Sequence, residues 1–243
     1  MPVLPSVDYG MPLWEPITIA PERTALLIID MQYYNAARGQ GFSVVMDRVE
    51  PGSSEYFDTR VERQTVPAIR SLIDQLRPLG VRMVYLCMGS QHRDLRDMPP
   101  RLRAAFRRLE AKGGVKDLFW AQGPLFRVLD DLEPAPADLV VEKRSLGGFN
   151  GSDLDDVLRR HGIESIFVTG VSTNSCVETT ARDAADRGYG TVLVDDCLAD
   201  YDPAWHQASL KAFHFNFGPV LRTVEDVVFA TQQRATIVAP SEA

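Results

Sequence analysis

The chain has little that would brace or anchor it by covalent or membrane means. Its 243 residues include only three cysteines, Cys87, Cys176 and Cys197, and four histidines. Thiols odd in number, scattered and without a CxxC pair exclude a disulfide framework and point to a reducing compartment. No apolar run approaches the ~20 residues of a membrane-spanning helix. Met1 to Pro21 has no basic segment leading into an apolar stretch, which argues against a secretory signal and for a cytoplasmic protein. Cations are also in deficit: 26 Lys and Arg against 33 Asp and Glu give a formal charge of −7. That balance disfavours nucleic acid or an anionic membrane surface as partner. Internal repeats, low-complexity tracts and dividing linkers are absent too. A single domain of this length buries roughly 70–75% of its unfolded surface, so it needs no disulfide or metal to hold a core.

What is present is a regular alternation. Thr24-Ala-Leu-Leu-Ile-Ile-Asp30 is a continuous apolar run ending in an acid, the pattern of a strand buried on both faces of a parallel sheet. Similar runs occupy 81–87, 138–142, 165–170 and 191–195, with a shorter one at 220–223. Between them lie segments of helical period. One spans 64–79 and stops at Gly80, and another lies around 100–112 in an Arg-rich stretch. A third runs from Ser152 to His161, where Asp155 makes a near capping box, and a fourth from Asn174 to Arg187. Asp202-Pro203 opens a fifth, and Thr223 caps the last. The expectation is one three-layer α/β/α domain over 23–235, with a six-stranded, mostly parallel Rossmann-like sheet and right-handed crossovers. A proline-rich irregular arm, 1–22, precedes it, and a short tail, 236–243, follows. Such an arm must lie on its own domain or on a neighbouring subunit, so a homo-oligomer, dimer or tetramer, is expected.

In sheets of this kind ligands sit beyond the carboxyl ends of the strands. Asp30, Lys143 and Cys176 fall at such ends. Cys176 follows a strand and a tight turn, Thr169-Gly-Val-Ser-Thr-Asn-Ser-Cys176, in the first turn of a helix. Unsatisfied N–H groups and the helix dipole there favour thiolate over thiol and can cradle a forming oxyanion. Taken singly, each residue has a structural reading: a buried thiol, a turn cap, a solvated strand end. Taken together they supply a nucleophile, a base and a cation on three adjacent strand ends.

Three blocks carry a resemblance: Ile-Ile-Asp30-Met-Gln32, then Glu142-Lys143 with Gly-Gly-Phe149, then Val-Thr-Gly170-Val-Ser-Thr-Asn-Ser-Cys176-Val-Glu-Thr-Thr. From about residue 22 to 230 the chain resembles the isochorismatase-like cysteine hydrolases. The resemblance implies a catalytic triad of Asp30, Lys143 and Cys176. It also implies a non-proline cis peptide at Val171–Ser172, with the backbone N–H groups of Ser172 and Cys176 as the oxyanion hole. Among such enzymes the blocks look most like the ureido and N-carbamoyl amidohydrolases, which act on ureidoacrylate, biuret and N-carbamoylsarcosine. The implied partner is therefore a small-molecule amide or ureide, cleaved through a Cys thioester.

The chain departs from the family in informative places. Nicotinamidase-type members bind metal through an Asp-x-His…His cluster that His92, His161, His206 and His214 do not form, so no metal and no cofactor are expected. Relatives often carry Lys-Pro-x-Tyr where this chain has Lys143-Arg-Ser-Leu146. Tyr34 and Phe149 are candidate pocket walls. Cys87 reads as core and Cys197 as structural, and the cluster Arg101, Arg103, Arg107, Arg108 and Lys112 as a solvated helix face. A dinucleotide fingerprint is missing, since Asp30-Met-Gln-Tyr-Tyr34 stands where GxGxxG would be. Two alternatives stay open: vinyl-ether hydrolysis of the isochorismate type, and a non-catalytic thiol-sensing or binding protein on the same fold.

Overall fold

The computed structural model describes residues 2–240, so Met1 and the last three residues of the 236–243 tail lie outside it. Its strands are β1 (Val3–Pro5), β2 (Ile17–Thr18), β3 (Thr24–Ile29), β4 (Arg82–Met88), β5 (Leu139–Lys143), β6 (Ser165–Val171), β7 (Gly190–Ala199), β8 (Val220–Leu221) and β9 (Thr236–Val238). Its α-helices are α1 (Tyr33–Ala36), α2 (Gly41–Val49), α3 (Glu55–Arg60), α4 (Val66–Leu76), α5 (Pro100–Gly113), α6 (Leu154–Arg160), α7 (Glu178–Asp186), α8 (Pro203–Asn216) and α9 (Val224–Gln232).

The six apolar runs pair into one all-parallel sheet in the order β5-β4-β3-β6-β7-β8. The chain builds outward from β3 to β5, then returns to place β6 on the other side of β3. The order therefore reverses between β3 and β6, where crevices open at the carboxyl ends. Alternate residues of β3 feed two cores. Leu26 and Ile28 pack with α4 and α9, through Ile69, Leu72, Ile73 and Val227. Ala25, Leu27 and Ile29 pack on the opposite face with Leu154, Leu158, Ala181, Leu210 and Phe213 of α6, α7 and α8. These are the three layers.

The helix ends follow their sequence signals, with one exception. Asp202 accepts the N–H groups of Ala204 and Trp205 ahead of Pro203, and Thr223 and Asp226 form a reciprocal capping box. Gly80 ends the segment after α4 at φ 91°. At α6 the near capping box does not form. Ser152 Oγ does accept the Leu154 N–H at 3.2 Å, but Asp155 Oδ1 takes the Tyr189 hydroxyl at 2.7 Å instead of turning back to the backbone.

A third apolar cluster lies beyond the carboxyl edge. Tyr34, Val45, Leu102, Phe106 and Phe119 join Met88 there, drawn from α1, α2, α5 and the loop after α5. This cap comes largely from segments whose polar surface hides their apolar stripe. On α5 only Leu102, Phe106 and Gly113 are buried, while Arg101, Arg107, Arg108 and Lys112 are exposed and Arg103 is half-buried. The arm is less irregular than its prolines suggest: β1 pairs parallel and β2 antiparallel with β9, so arm and tail share a three-stranded sheet. No helix among the described residues is long and apolar enough to cross a membrane.

Gly170, near the end of β6, adopts φ 109°, and a Cβ there would drive into the Ile29 carbonyl oxygen of β3. Only glycine permits this approach of the two strands that flank the switch point. Gly170→Ala is expected to lower the unfolding free energy by at least about 2 kcal/mol in urea titration. A change within about 0.5 kcal/mol would contradict this packing.

Candidate active site

Asp30 leaves β3 in a left-handed conformation, φ 53°, with its N–H donating to Leu86 O at 2.9 Å. That turn aims its carboxylate along the carboxyl edge, where Lys143 Nζ donates to Oδ2 at 2.9 Å. Both side chains are wholly shielded from solvent. The ammonium also donates to Ser145 O at 3.1 Å and Leu146 O at 3.0 Å, which uses all three of its donors. Asp30 Oδ1, by contrast, has no hydrogen-bond partner. Lys143 ends β5, and β4 lies between it and β3, so the strand ends are not adjacent as the sequence suggested. The long lysine side chain spans the gap across the end of β4. Gln32 holds this neighbourhood: its Oε1 accepts the Met88 N–H at 2.7 Å and its amide donates to Phe126 O.

Cys176 sits beyond β6 in a tight π-turn, Thr173–Val177, that runs into α7. The Val171–Ser172 peptide before it is cis. Side chains brace this elbow from behind. Thr173 Oγ1 meets His206 Nδ1 at 2.8 Å, and His206 Nε2 meets Asp195 Oδ1 at 2.8 Å. Arg60 closes the chain on Asp195 Oδ1 at 3.0 Å. Asp200, buried at the end of β7, accepts the Asn174 N–H at 2.6 Å and the Tyr201 N–H at 2.8 Å. Thr180 donates to Cys176 O at 2.6 Å and accepts the Gly148 N–H at 2.9 Å, which ties α7 to the loop after Lys143. Sequence reasoning assigned no role to His206, Asp195, Asp200 or Thr180; only Thr180 lay within a quoted motif.

A cavity of about 210 Å³ opens onto Cys176, with Tyr34, Phe42, Phe106, Leu146, Ser172 and Trp205 in its walls. Tyr34, a candidate pocket wall in the sequence, lines this cavity. Phe149 does not: its ring stacks on Tyr189 at 6.1 Å, under the Arg187 guanidinium, in the core beneath α6 and α7. Its apolar neighbours there outcompete the pocket. Cys197 is buried, with its thiol donating to Asp196 Oδ1 at 3.2 Å, and Cys87 is buried against the α4 face. Among the described residues, no group of three or more His, Cys, Asp or Glu is placed to hold a metal ion.

The electrostatics revise one expectation. Burial pushes the Cys176 thiol up to about 12, with the Asp30 charge adding to it and Lys143 opposing. The dipole at the start of one short helix does not overcome that desolvation, so the resting group is the thiol. Burial likewise holds Asp30 above the ordinary carboxylate range, against the pull of Lys143. For Lys143 burial works against the ammonium, but the charges of Asp30 and Cys176 outweigh it and keep its pKa above the usual value. The site therefore rests as an ion pair beside a protonated thiol. Alkylation of Cys176 by iodoacetamide, followed by peptide mass spectrometry, is expected still to rise about tenfold per pH unit above the ordinary thiol value of ~8.5. A plateau below pH ~8 would contradict a resting thiol.

Comparison with known proteins agrees with this architecture. Residues 24–225 match the isochorismatase domain. Two ureidoacrylate amidohydrolases are similar along nearly their whole length. That of Rhizobium rhizogenes is 29% identical, over 94% of this chain and 90% of its own, and that of Agrobacterium fabrum is 29% identical, over 92% and 96%. Among solved structures, a cysteine hydrolase from Pseudomonas syringae superposes with a TM-score of 0.73 at 26% identity, covering 90% of this chain and 96% of its own. An N-carbamoylsarcosine amidase from Thermoplasma acidophilum gives 0.58 at 26% identity, covering 82% and 96%. The matched domain takes in all six strands of the main sheet and the three residues at its carboxyl edge, and the chain belongs to the isochorismatase family of hydrolases.

Proposed function

We propose that this protein hydrolyses a C–N bond of a small-molecule carboxamide or ureide through a thioester on Cys176. The observation that carries the reading is the unpartnered Asp30 Oδ1, in a carboxylate already held by Lys143, with the Cys176 thiol beside it on the wall of a cavity. A carboxylate with one oxygen fully engaged and the other free is arranged to accept a proton. As Cys176 Sγ adds to the substrate carbonyl carbon, its proton passes to Asp30. The carbonyl π electrons move to oxygen, and the backbone N–H groups of Ser172 and Cys176 receive the oxyanion.

Collapse re-forms the C=O bond and breaks the C–N bond, while Asp30 returns its proton to the departing ammonia or amine. Water then adds to the thioester, giving its proton to Asp30. The second collapse expels the Cys176 sulfur, which recovers that proton. The product is a carboxylic acid from a carboxamide, or a carbamate from a ureide. Lys143 stays charged throughout and offsets the negative charge that moves between Asp30, sulfur and oxygen. The names of the relatives, ureidoacrylate amidohydrolase and N-carbamoylsarcosine amidase, support amide and ureide chemistry. The free cysteines suit the cytoplasm, and self-association remains part of the proposal.

Ammonia or amine release from an amide panel, with a parallel pyruvate assay on isochorismate, tests the reading. Wild type is expected to turn over an amide or ureide and Cys176→Ala to lose that activity. Pyruvate from isochorismate with both proteins, and silence on every amide, would leave vinyl-ether hydrolysis in its place. The pH dependence follows from Asp30. It accepts the proton only when ionised, and burial raises its pKa, so kcat/KM falls as pH drops through a midpoint above the ordinary ~3.9. Asp30→Asn is expected to lower kcat by about 10²–10⁴. An acid limb unchanged in Asp30→Asn would assign the titration to another group.

A further inference from the structure

The cavity at Cys176 has a chemical character of its own. Tyr34, Phe42, Met88, Phe106, Leu146 and Trp205 supply its apolar wall, and Asn35, Ser172, Asn174 and Ser175 its uncharged polar part. Phe106 is stacked on Phe119 at 3.7 Å, and Phe42 and Tyr34 meet the same ring edge-on at 6.0 and 5.3 Å, so this wall is held in place. Among the described residues that line it, none is Lys, Arg or His. The one charged lining residue is Asp200, whose two oxygens already accept the Asn174 and Tyr201 N–H groups.

Lys143, Arg60, Arg144 and Arg182 are engaged elsewhere. Lys143 has no donor left beyond Asp30 and two carbonyls. Arg60 is committed to Asp195, Arg144 to Asp97 and Glu142, and Arg182 to Glu178. A carboxylate carried into this space would lose water and gain no counter-charge, with Asp200 facing it as a like charge. An ammonium would trade its hydration for a carboxylate whose lone pairs are partly spent. Aliphatic carbon, by contrast, finds aromatic and aliphatic walls at a volume below the ~300 Å³ usual for drug-sized ligands.

We infer that the substrate of this site is a small uncharged amide or ureide bearing an apolar group, and that analogues carrying a carboxylate, as ureidoacrylate does, are discriminated against. This rests on the amidohydrolase reading above, and it separates this chain's substrate from the one its relatives' names indicate. The wall residues Leu146 and Trp205 set the preference. Leu146 is placed beside the nucleophile by the same backbone carbonyl that holds Lys143. Trp205 stands half-exposed at the start of α8, at the mouth.

Three amides of nearly equal size test it: hexanamide, glutaramate with a terminal carboxylate, and 5-aminopentanamide with a terminal ammonium. Butylurea and N-carbamoyl-β-alanine repeat the neutral and anionic arms for ureides. Turnover is read as ammonia release by wild type, and binding separately by calorimetry on Cys176→Ala. The neutral member of each set is expected to exceed its charged partners by at least about tenfold in kcat/KM and in affinity. Trp205→Arg, altered only at the exposed rim, is expected to narrow the gap for glutaramate by about tenfold without changing the far-ultraviolet spectrum. Equal or better use of glutaramate, N-carbamoyl-β-alanine or 5-aminopentanamide overturns the inference while leaving the hydrolase reading intact. Tighter binding of the neutral compounds with no ammonia from any of them supports the cavity's preference and overturns the hydrolase reading. No binding by any compound at about 10 mM, well beyond the ~1 mM of the weakest specific complexes, overturns both.

Discussion

A buried ion pair between Asp30 and Lys143 is the constraint around which the rest of the structure is arranged. Two charges wholly out of water are costly, and the cost is offset only where each is held by good geometry and further hydrogen bonds. Lys143 meets that requirement completely, through Asp30 and the carbonyls of Ser145 and Leu146. Asp30 meets it by half and keeps Oδ1 open. The loop 145–150 must therefore curl back over the strand end, and it is secured there by Thr180 from α7 and by Ser145 Oγ, which donates to Gly147 O and Asn150 O. The left-handed turn at Asp30 and the close contact of Gly170 with β3 serve the same placement from the other side.

Dryness is the second requirement, and it comes from the cap. The parallel sheet alone would leave the carboxyl edge open to solvent. The Tyr34, Phe106 and Phe119 cluster roofs it, and burial of the site raises the proton affinity of both Cys176 and Asp30. Two groups whose proton affinities are raised together can exchange a proton, while the lysine holds the charge of the pair. The same roof decides what else fits.

Much of the frame was legible because strands buried on both faces leave an unmistakable apolar run. The runs at 24–30, 81–87, 165–170 and 191–195 all became strands of the main sheet, and Asp202 and Thr223 marked helix starts that formed. The carboxyl-end rule then drew attention to Asp30, Lys143 and Cys176. Other features carried no local signal. The cap is assembled from α1, α2, α5 and loops, whose apolar residues are few and far apart, so no single window reveals it. That β4 separates the ends of β3 and β5 is a property of strand order and is invisible in any one motif. The thiol's raised pKa depends on burial in the assembled fold, against which a helix-start argument has no weight. Phe149 shows the limit from the other side: an aromatic close to Lys143 in sequence was claimed by Tyr189 and Arg187 in the core.

In the proposed mechanism Asp30 and Lys143 act on Cys176 as one unit. A double-mutant cycle on kcat/KM, with Asp30→Asn, Lys143→Met and the two combined, measures that directly, with circular dichroism confirming that each variant is folded. Residues that act as a unit give strongly non-additive losses. A double variant no more impaired than the worse single one, within about tenfold, is expected, because either change already removes the poised proton acceptor. Losses that simply multiply would mean that the two residues contribute independently, and would contradict the ion pair as the element on which the site depends.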